Sequence, residues 1–106
     1  MIVTTSETIA NKRIVKTLGI VRGNTVRARH IGKDIMAGLR NIVGGEVHEY
    51  AKLVAESREQ SLDRMVKEAA ELGGNAVIAT RFTTSVLMGG AAELLAIGTA
   101  VVIEDE

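Results

Sequence analysis

The chain has 106 residues, 13 basic and 13 acidic side chains, no cysteine, and only two aromatic residues, Tyr50 and Phe82. This length predicts a single domain over residues 1–106 with a modest hydrophobic core. The absence of cysteine excludes disulfide bonds, thiolate metal sites and thiol catalysis. The balanced charge and the scarcity of aromatic stacking groups argue against a nucleic-acid or membrane partner.

The balanced total hides a charge asymmetry along the chain. Residues 1–40 carry eight basic and two acidic side chains, a net charge of +6, whereas residues 41–106 carry five basic and eleven acidic ones, a net charge of −6. Two interpretations stay open. The two halves pair within or between subunits, or the basic half binds an anionic ligand.

The opening residues, 1–5, lack the basic region, the long apolar stretch and the small-residue cleavage site of a secretory signal. No apolar run in the sequence approaches the roughly 20 residues of a membrane-spanning helix. We therefore expect a cytoplasmic location.

A strand is predicted over residues 14–21, where β-branched residues are frequent and polar residues alternate with apolar ones. Gly23-Asn24 separates this strand from a second extended segment at residues 25–28. The pair could close a hairpin or bend one long strand, because both need a residue that tolerates positive φ.

A short helix is predicted between residues 31 and 43, where apolar residues recur every three to four positions. Gly44-Gly45 follows it and suits the left-handed position after a helix C-terminus. Arg40 in the last turn fits the negative end of the helix dipole.

A longer amphipathic helix is predicted over residues 46–72, with Gly73-Gly74-Asn75 as its stop signal. Ser57 and Ser61 interrupt its apolar stripe. These small polar residues either let another backbone approach closely or mark where the helix extends beyond its sheet.

Two strands close the chain, at residues 76–85 and 93–103, with a turn around Met88-Gly89-Gly90 between them. The second of these strands is apolar on both faces. A strand in a small antiparallel sheet normally has one polar face, so this one needs two burial partners. We expect the long helix on one side and another subunit on the other.

Four segments resemble the YbjQ family in the same order along the chain. The most specific segment is Ala37-Gly38-Leu39-Arg40-Asn41-Ile42-Val43-Gly44-Gly45, followed by Tyr50. Three further segments support the resemblance: Thr4-Thr5, Leu72-Gly73-Gly74-Asn75-Ala76-Val77-Ile78 and Gly98-Thr99-Ala100-Val101. The resemblance implies an α+β, dodecin-like β-α-β-β subunit whose antiparallel sheet packs on one long and one short helix. It also implies a ring oligomer, with a pentamer expected, and it carries a label of heavy-metal binding without an established ligand set.

Metal binding has few candidate ligands in this sequence. His30 and His48 are the only histidines, 18 residues apart, and Glu49 could add an oxygen ligand beside His48. Because a metal site normally needs more ligands at closer spacing, we interpret both histidines as surface residues and expect no bound metal or cofactor.

A ligand site at the junction of the two helices is the second hypothesis. The glycine pair could present backbone N–H groups to an anion, and the resulting candidates are Arg40, Asn41, Gly44, Gly45 and Tyr50. The alternative is a purely structural joint, since the segment lacks the lysine and Ser/Thr of a phosphate loop.

No sequence pattern indicates a nucleophile or an acid–base pair, so no catalytic residue is assigned. The sequence therefore predicts a homo-oligomeric binding or structural assembly that holds a small ligand or anion between subunits. Two alternatives stay open: a metal-binding protein, and an enzyme whose active site forms between subunits from Arg40, His48, Glu49 and Tyr50.

Overall fold

A computed structural model describes residues 1–27, 48–86 and 92–106 of the chain. The predicted short helix and the Gly44-Gly45 junction lie outside these residues. The described elements are β1 (Ile2–Val3), β2 (Lys12–Arg27), α1 (His48–Glu71), β3 (Ala76–Val86) and β4 (Ala92–Asp105). The predicted α+β class, the long helix and the three long strands are confirmed.

The four strands form one sheet in the order β1-β3-β4-β2. Strand β4 pairs antiparallel with both β2 and β3, as predicted. The prediction of a purely antiparallel sheet is wrong, because β1 runs parallel to β3, with Ile2 opposite Ala76 and Val3 opposite Val77. The sheet is therefore mixed, with a two-residue parallel strand at one edge.

Strand β2 is a single strand of 16 residues, so Gly23-Asn24 does not close a hairpin. The register with β4 is continuous there, with Gly23 opposite Ala96 and Asn24 opposite Leu95. The irregularities of β2 lie earlier, between residues 14 and 16 and between residues 17 and 19.

The helix α1 has 24 residues, which corresponds to a length of about 36 Å. It ends as the glycine signal predicts. Gly73 has a φ of 89°, and the N–H groups of Gly73 and Gly74 donate to the carbonyls of Ala70 and Ala69 at 3.0 and 2.9 Å. This is the Schellman arrangement, which satisfies carbonyls that the helix end would otherwise leave unpaired. None of the described residues forms a helix that is long and apolar enough to cross a lipid bilayer.

The buried face of α1 differs from the predicted stripe. Among the α1 side chains that the structure describes, the most buried are Ser57, Ser61, Met65 and Ala69, at a regular spacing of four residues. Val54 and Leu72, which the apolar spacing places on the buried stripe, are exposed. The two serines therefore lie at the centre of the interface with the sheet. The first of the two interpretations, a close approach of another backbone, is the correct one.

Apolar clusters lie on both faces of the sheet. The cluster on the helix face comprises Val21, Met65, Ala69, Val77, Ala96 and Ala100. The cluster on the opposite face comprises Ala76, Val101 and Ile103, with Ile9, Ile14 and Ile78 packed against it. One face of β4 packs on α1, and Ile9, which precedes β2, packs against part of the other face.

A bulge interrupts β3 at Ala79 and Thr80, where the register with β4 shifts between Ile78 and Arg81. Ala79 adopts a φ of 53°, a left-handed conformation that is rare for alanine. The segment after β1 holds this bulge, because the N–H groups of Ala79 and Thr80 donate to the carbonyls of Ser6 and Thr4 at 2.9 and 3.0 Å.

Candidate functional site

A polar network lies between α1 and the second half of β2. The Thr25 hydroxyl lies 3.2 Å from Ser61 Oγ and 3.4 Å from the Ser57 carbonyl oxygen. Ser61 Oγ in turn donates to the Leu94 carbonyl at 3.0 Å. Thr25, Ser57 and Ser61 are buried, so these hydrogen bonds join the helix to β2 and β4 away from solvent.

Arg27 extends this network toward the end of β2. Its Nε donates to Ser57 Oγ at 2.7 Å and its Nη2 donates to Gln60 Oε1 at 2.9 Å. Both acceptors are neutral. These two bonds to α1 hold the guanidinium group in one orientation, and they do not neutralise its positive charge.

A cavity of about 100 Å³ lies next to this arginine, between α1 and the adjoining ends of three strands. Its polar lining includes Thr25, Arg27, Ser57, Thr84 and Glu93, and its apolar lining consists of Val54, Ala92 and Leu94. One basic residue, one acidic residue, three hydroxyl-bearing residues and an apolar wall thus line the same small volume. This combination is typical of a binding site for a small polar ligand.

The local sequence explains how these side chains meet. Successive residues of a strand point to opposite faces, so Val21, Gly23, Thr25 and Arg27 of β2 share the face that packs on α1. The spacing of four residues places Ser57 and Ser61 on one side of the helix. Small side chains at these positions permit a short distance between helix and sheet, and Arg27 lies where this contact ends.

The site residues that the sequence predicted lie outside the side chains that the structure describes. His30, Arg40, Asn41, Gly44 and Gly45 lie outside the described residues. His48, Glu49 and Tyr50 form the first described turn of α1, and the structure describes the course of their backbone only. The helix-junction hypothesis therefore stays a prediction.

The described residues do not fit a metal centre. Within residues 1–27, 48–86 and 92–106, no group of three or more His, Cys, Asp or Glu side chains is placed to hold a metal ion. The complete sequence also lacks cysteine, the ligand that soft heavy metals prefer.

Sequence reasoning missed Thr25, Arg27 and Ser57 as site residues. The sequence contains a weak indication of these residues. Thr25 and Arg27 alternate on one face of a strand, and Ser57 and Ser61 are one helical turn apart within an otherwise apolar stripe. Polar residues in this pattern also occur on exposed surfaces, so the pattern alone does not reveal that the two sets face each other.

Comparison with known proteins gives consistent results over the whole chain. Residues 1–104 match the YbjQ family, which is described as "Putative heavy-metal-binding". A UPF0145 protein of Methanosarcina acetivorans is 56% identical over 103 residues, which cover 97% of each chain. A UPF0145 protein of Pyrococcus abyssi is 59% identical over 106 residues, which cover 100% of this chain and 92% of the relative.

A solved structure supports the fold independently. The crystal structure of a protein with unknown function from Pediococcus pentosaceus, assigned to the DUF74 family, superposes with a TM-score of 0.66 at 16% identity, and the match covers 98% of each chain. This likeness shows the fold alone. The resemblance in four sequence segments is confirmed by the family match over residues 1–104, and the chain belongs to the YbjQ family.

Proposed function

We propose that the chain forms a homo-oligomeric ring, with a pentamer as the expected size, and that this ring is a binding assembly for a small ligand. The observation that carries the proposal is the arrangement of the sheet edges. Among the described strands, β2 forms one edge of the sheet over its full 16 residues. At the opposite edge, β1 pairs with only Ala76 and Val77, so within the described part of the chain the second half of β3 has β4 on one side and no strand on its outer side.

The apolar residues on these edge strands support the same conclusion. Val15, Ile20 and Val26 of β2 are 44, 61 and 52% exposed. Phe82 and Val86 of β3 are 41 and 85% exposed. An edge strand with unpaired backbone groups and exposed apolar side chains readily pairs with another chain. Pairing of β2 in one subunit with β3 in the next uses two different surfaces, and such contacts close into a ring when the rotation permits.

The dimensions of the subunit point in the same direction. The radius of gyration of the Cα atoms is 17.2 Å, whereas a compact domain of this length has a value of about 13 Å. The chain is elongated, with principal extents of 55, 26 and 15 Å. A subunit of this shape buries less of its own surface than a compact one, and neighbouring subunits would supply the missing burial.

The proposal is tested by multi-angle light scattering and native mass spectrometry of three variants. Val86→Glu and Ile20→Glu place a charge on each edge strand at positions that contribute little to the core. We expect both to dissociate the oligomer while the circular dichroism spectrum is retained. Leu72→Glu is the matched control, because Leu72 is 49% exposed at the end of α1 and lies on neither edge strand. A folded wild-type monomer at micromolar concentration contradicts the proposal.

The family description raises metal binding as a second possibility. The alternative of an active site between subunits rests on Arg40, His48, Glu49 and Tyr50. No described side-chain contact supports either. Elemental analysis of protein purified without a tag tests metal binding. A stoichiometric metal would support it, and its ligands would then have to include residues other than the described ones. If an active site forms between subunits, Tyr50→Phe must change the rate of turnover of a substrate, once one is found.

A further inference from the structure

We propose that the cavity beside Arg27 binds a small carboxylate with a short aliphatic chain. This assignment names the ligand class for the binding function proposed above and rests on it. The cavity belongs to a single subunit, so its contents can be tested separately from the assembly.

The cavity is partly open to solvent, and its inner space favours a small ligand. Its volume of about 100 Å³ equals the space of roughly three water molecules in the liquid. Pockets for nucleotides and other large cofactors are several times larger, at about 300 Å³ or more. The volume therefore fits an acetate- to butyrate-sized molecule.

The charge of the cavity lining indicates the sign of the ligand's charge. A guanidinium group carries five N–H donors, and the described contacts of Arg27 use Nε and Nη2, once each. Three donors thus have no partner among the described residues. The ion pairs among those residues join Lys12 to Asp105 and Arg13 to Glu104, so neither involves Arg27.

Glu93 is the acidic residue in the lining, and its carboxylate has a different partner. Its Oε2 accepts a hydrogen bond from Asn24 Nδ2 at 3.3 Å. Asn24 follows Gly23 and precedes Thr25 on β2, so its side chain points to the sheet face opposite Thr25 and Arg27. The carboxylate of Glu93 is therefore drawn away from the guanidinium group, which leaves a positive charge at the cavity.

The shape of the lining distinguishes a carboxylate from other anions. A planar guanidinium group matches a planar carboxylate with two parallel hydrogen bonds. Val54, Ala92 and Leu94 supply an apolar wall for a short chain, which sulfate and phosphate cannot use. We therefore expect binding to strengthen from acetate to butyrate and to exceed that of either inorganic anion.

The test is a titration of the intact protein with acetate, propionate, butyrate, sulfate and phosphate, followed by two-dimensional NMR and calorimetry. Arg27→Gln is expected to weaken carboxylate binding about ten- to hundredfold, because it removes charge-assisted hydrogen bonds. Arg22→Gln is the matched control. Arg22 lies on the opposite face of the same strand and changes the net charge equally.

A second variant keeps the charge and removes the space. Val54→Phe extends an exposed side chain that lines the cavity, so it is expected to abolish binding while Arg27 stays in place. Equal binding by wild type, Arg27→Gln and Val54→Phe would overturn the assignment, as would a preference for sulfate or phosphate.

Light scattering of the same samples separates this assignment from the proposed assembly. An oligomer that binds no carboxylate overturns the ligand class and leaves the ring intact. A monomer that binds butyrate through Arg27 overturns the ring and supports the cavity assignment.

Discussion

Gly23 of β2 lies against the backbone of α1 at Ser61. A Cβ atom at position 23 would be 2.1 Å from the Ser61 carbonyl oxygen and 2.5 Å from the Met65 backbone nitrogen. Backbone atoms cannot move aside as the end of a flexible side chain can. The strand and the helix are therefore so close at this position that only glycine fits.

The first prediction concerns this contact. Gly23→Ala is expected to lower the free energy of unfolding by about 3 kcal/mol, because the helix must shift away from the sheet. Urea unfolding at fixed protein concentration measures the effect, since association with other subunits changes apparent stability. Arg22→Ala, an exposed change one residue away, is expected to alter stability by less than about 0.5 kcal/mol. Equal midpoints for the two variants would refute the proposed close approach.

The second prediction concerns Asn75, which follows the helix stop signal. Its side chain takes the place of a strand residue beside β4: Asn75 Nδ2 donates to the Ile103 carbonyl at 3.0 Å, and the Ile103 N–H donates to Asn75 Oδ1 at 2.7 Å. Asn75→Ala leaves both backbone groups of Ile103 without these partners. We expect a loss of about 1–3 kcal/mol in the free energy of unfolding.

Asn24→Ala serves as the control for Asn75→Ala. Both asparagines are exposed, but the described side-chain hydrogen bond of Asn24 goes to the Glu93 side chain and is longer, at 3.3 Å. Hydrogen exchange gives a second readout, because the Ile103 amide is expected to lose protection in Asn75→Ala while amides near Val21 keep theirs. Unchanged protection at Ile103 would show that the Asn75 side chain does not extend the sheet.

The sequence was sufficient to predict the elements that carry a strong periodic signal. The apolar spacing predicts α1, the Gly73-Gly74-Asn75 stop predicts its end at Glu71 to within one residue, and the apolar pattern identifies β4 as a strand. The expectation that another subunit covers the second face of β4 stays a prediction. Ile9 of the same chain packs against the cluster of Ala76, Val101 and Ile103, while most of the exposed large apolar residues lie on the edge strands.

The remaining features depend on contacts between distant segments. A two-residue strand such as β1 has no periodicity, so its parallel pairing with Ala76 and Val77 leaves no trace in the sequence. The bulge at Ala79 contains no glycine to mark it. The cavity beside Arg27 joins residues of β2, α1, β3 and β4, and its polar members cannot be told from surface residues before these elements are assembled.

The third prediction concerns the ion pair between Lys12 and Asp105 at one end of the sheet. The hydrogen bond from the Lys12 ammonium group and its positive charge hold the pKa of Asp105 below its ordinary value of 3.8. Because the folded-state pKa is the lower one, the stabilising contribution is present above pH 3.8 and is lost as the pH falls through the lowered value.

The carboxyl carbon of Asp105 reports this titration by NMR. In Lys12→Gln the pKa of Asp105 is expected to rise toward 3.8, whereas Lys16→Gln, which removes an exposed lysine of the same strand, is expected to leave it lowered. High salt should also raise it, because the pair is exposed and screened. Identical titration curves for wild type and Lys12→Gln would contradict the assignment.

The fourth prediction compares two buried threonines with opposite hydrogen-bond status. The Thr80 hydroxyl is buried beside Gly98 and has no hydrogen-bond partner among the described residues, whereas the Thr25 hydroxyl contacts Ser57 and Ser61. Thr80→Val replaces an unsatisfied polar group with a methyl group of the same shape and is expected to raise the free energy of unfolding by about 1 kcal/mol. Thr25→Val removes a satisfied hydroxyl and is expected to lower it by about 1 kcal/mol.

Chemical denaturation of the two valine variants checks the sign of each change, and their equal gain in hydrophobicity makes each the control for the other. A loss of stability in Thr80→Val would mean that the hydroxyl has a partner, such as a water molecule or a group of a neighbouring subunit. Repeating the measurement across protein concentrations separates these partners, because a contact between subunits alters the concentration dependence of unfolding and a bound water molecule does not.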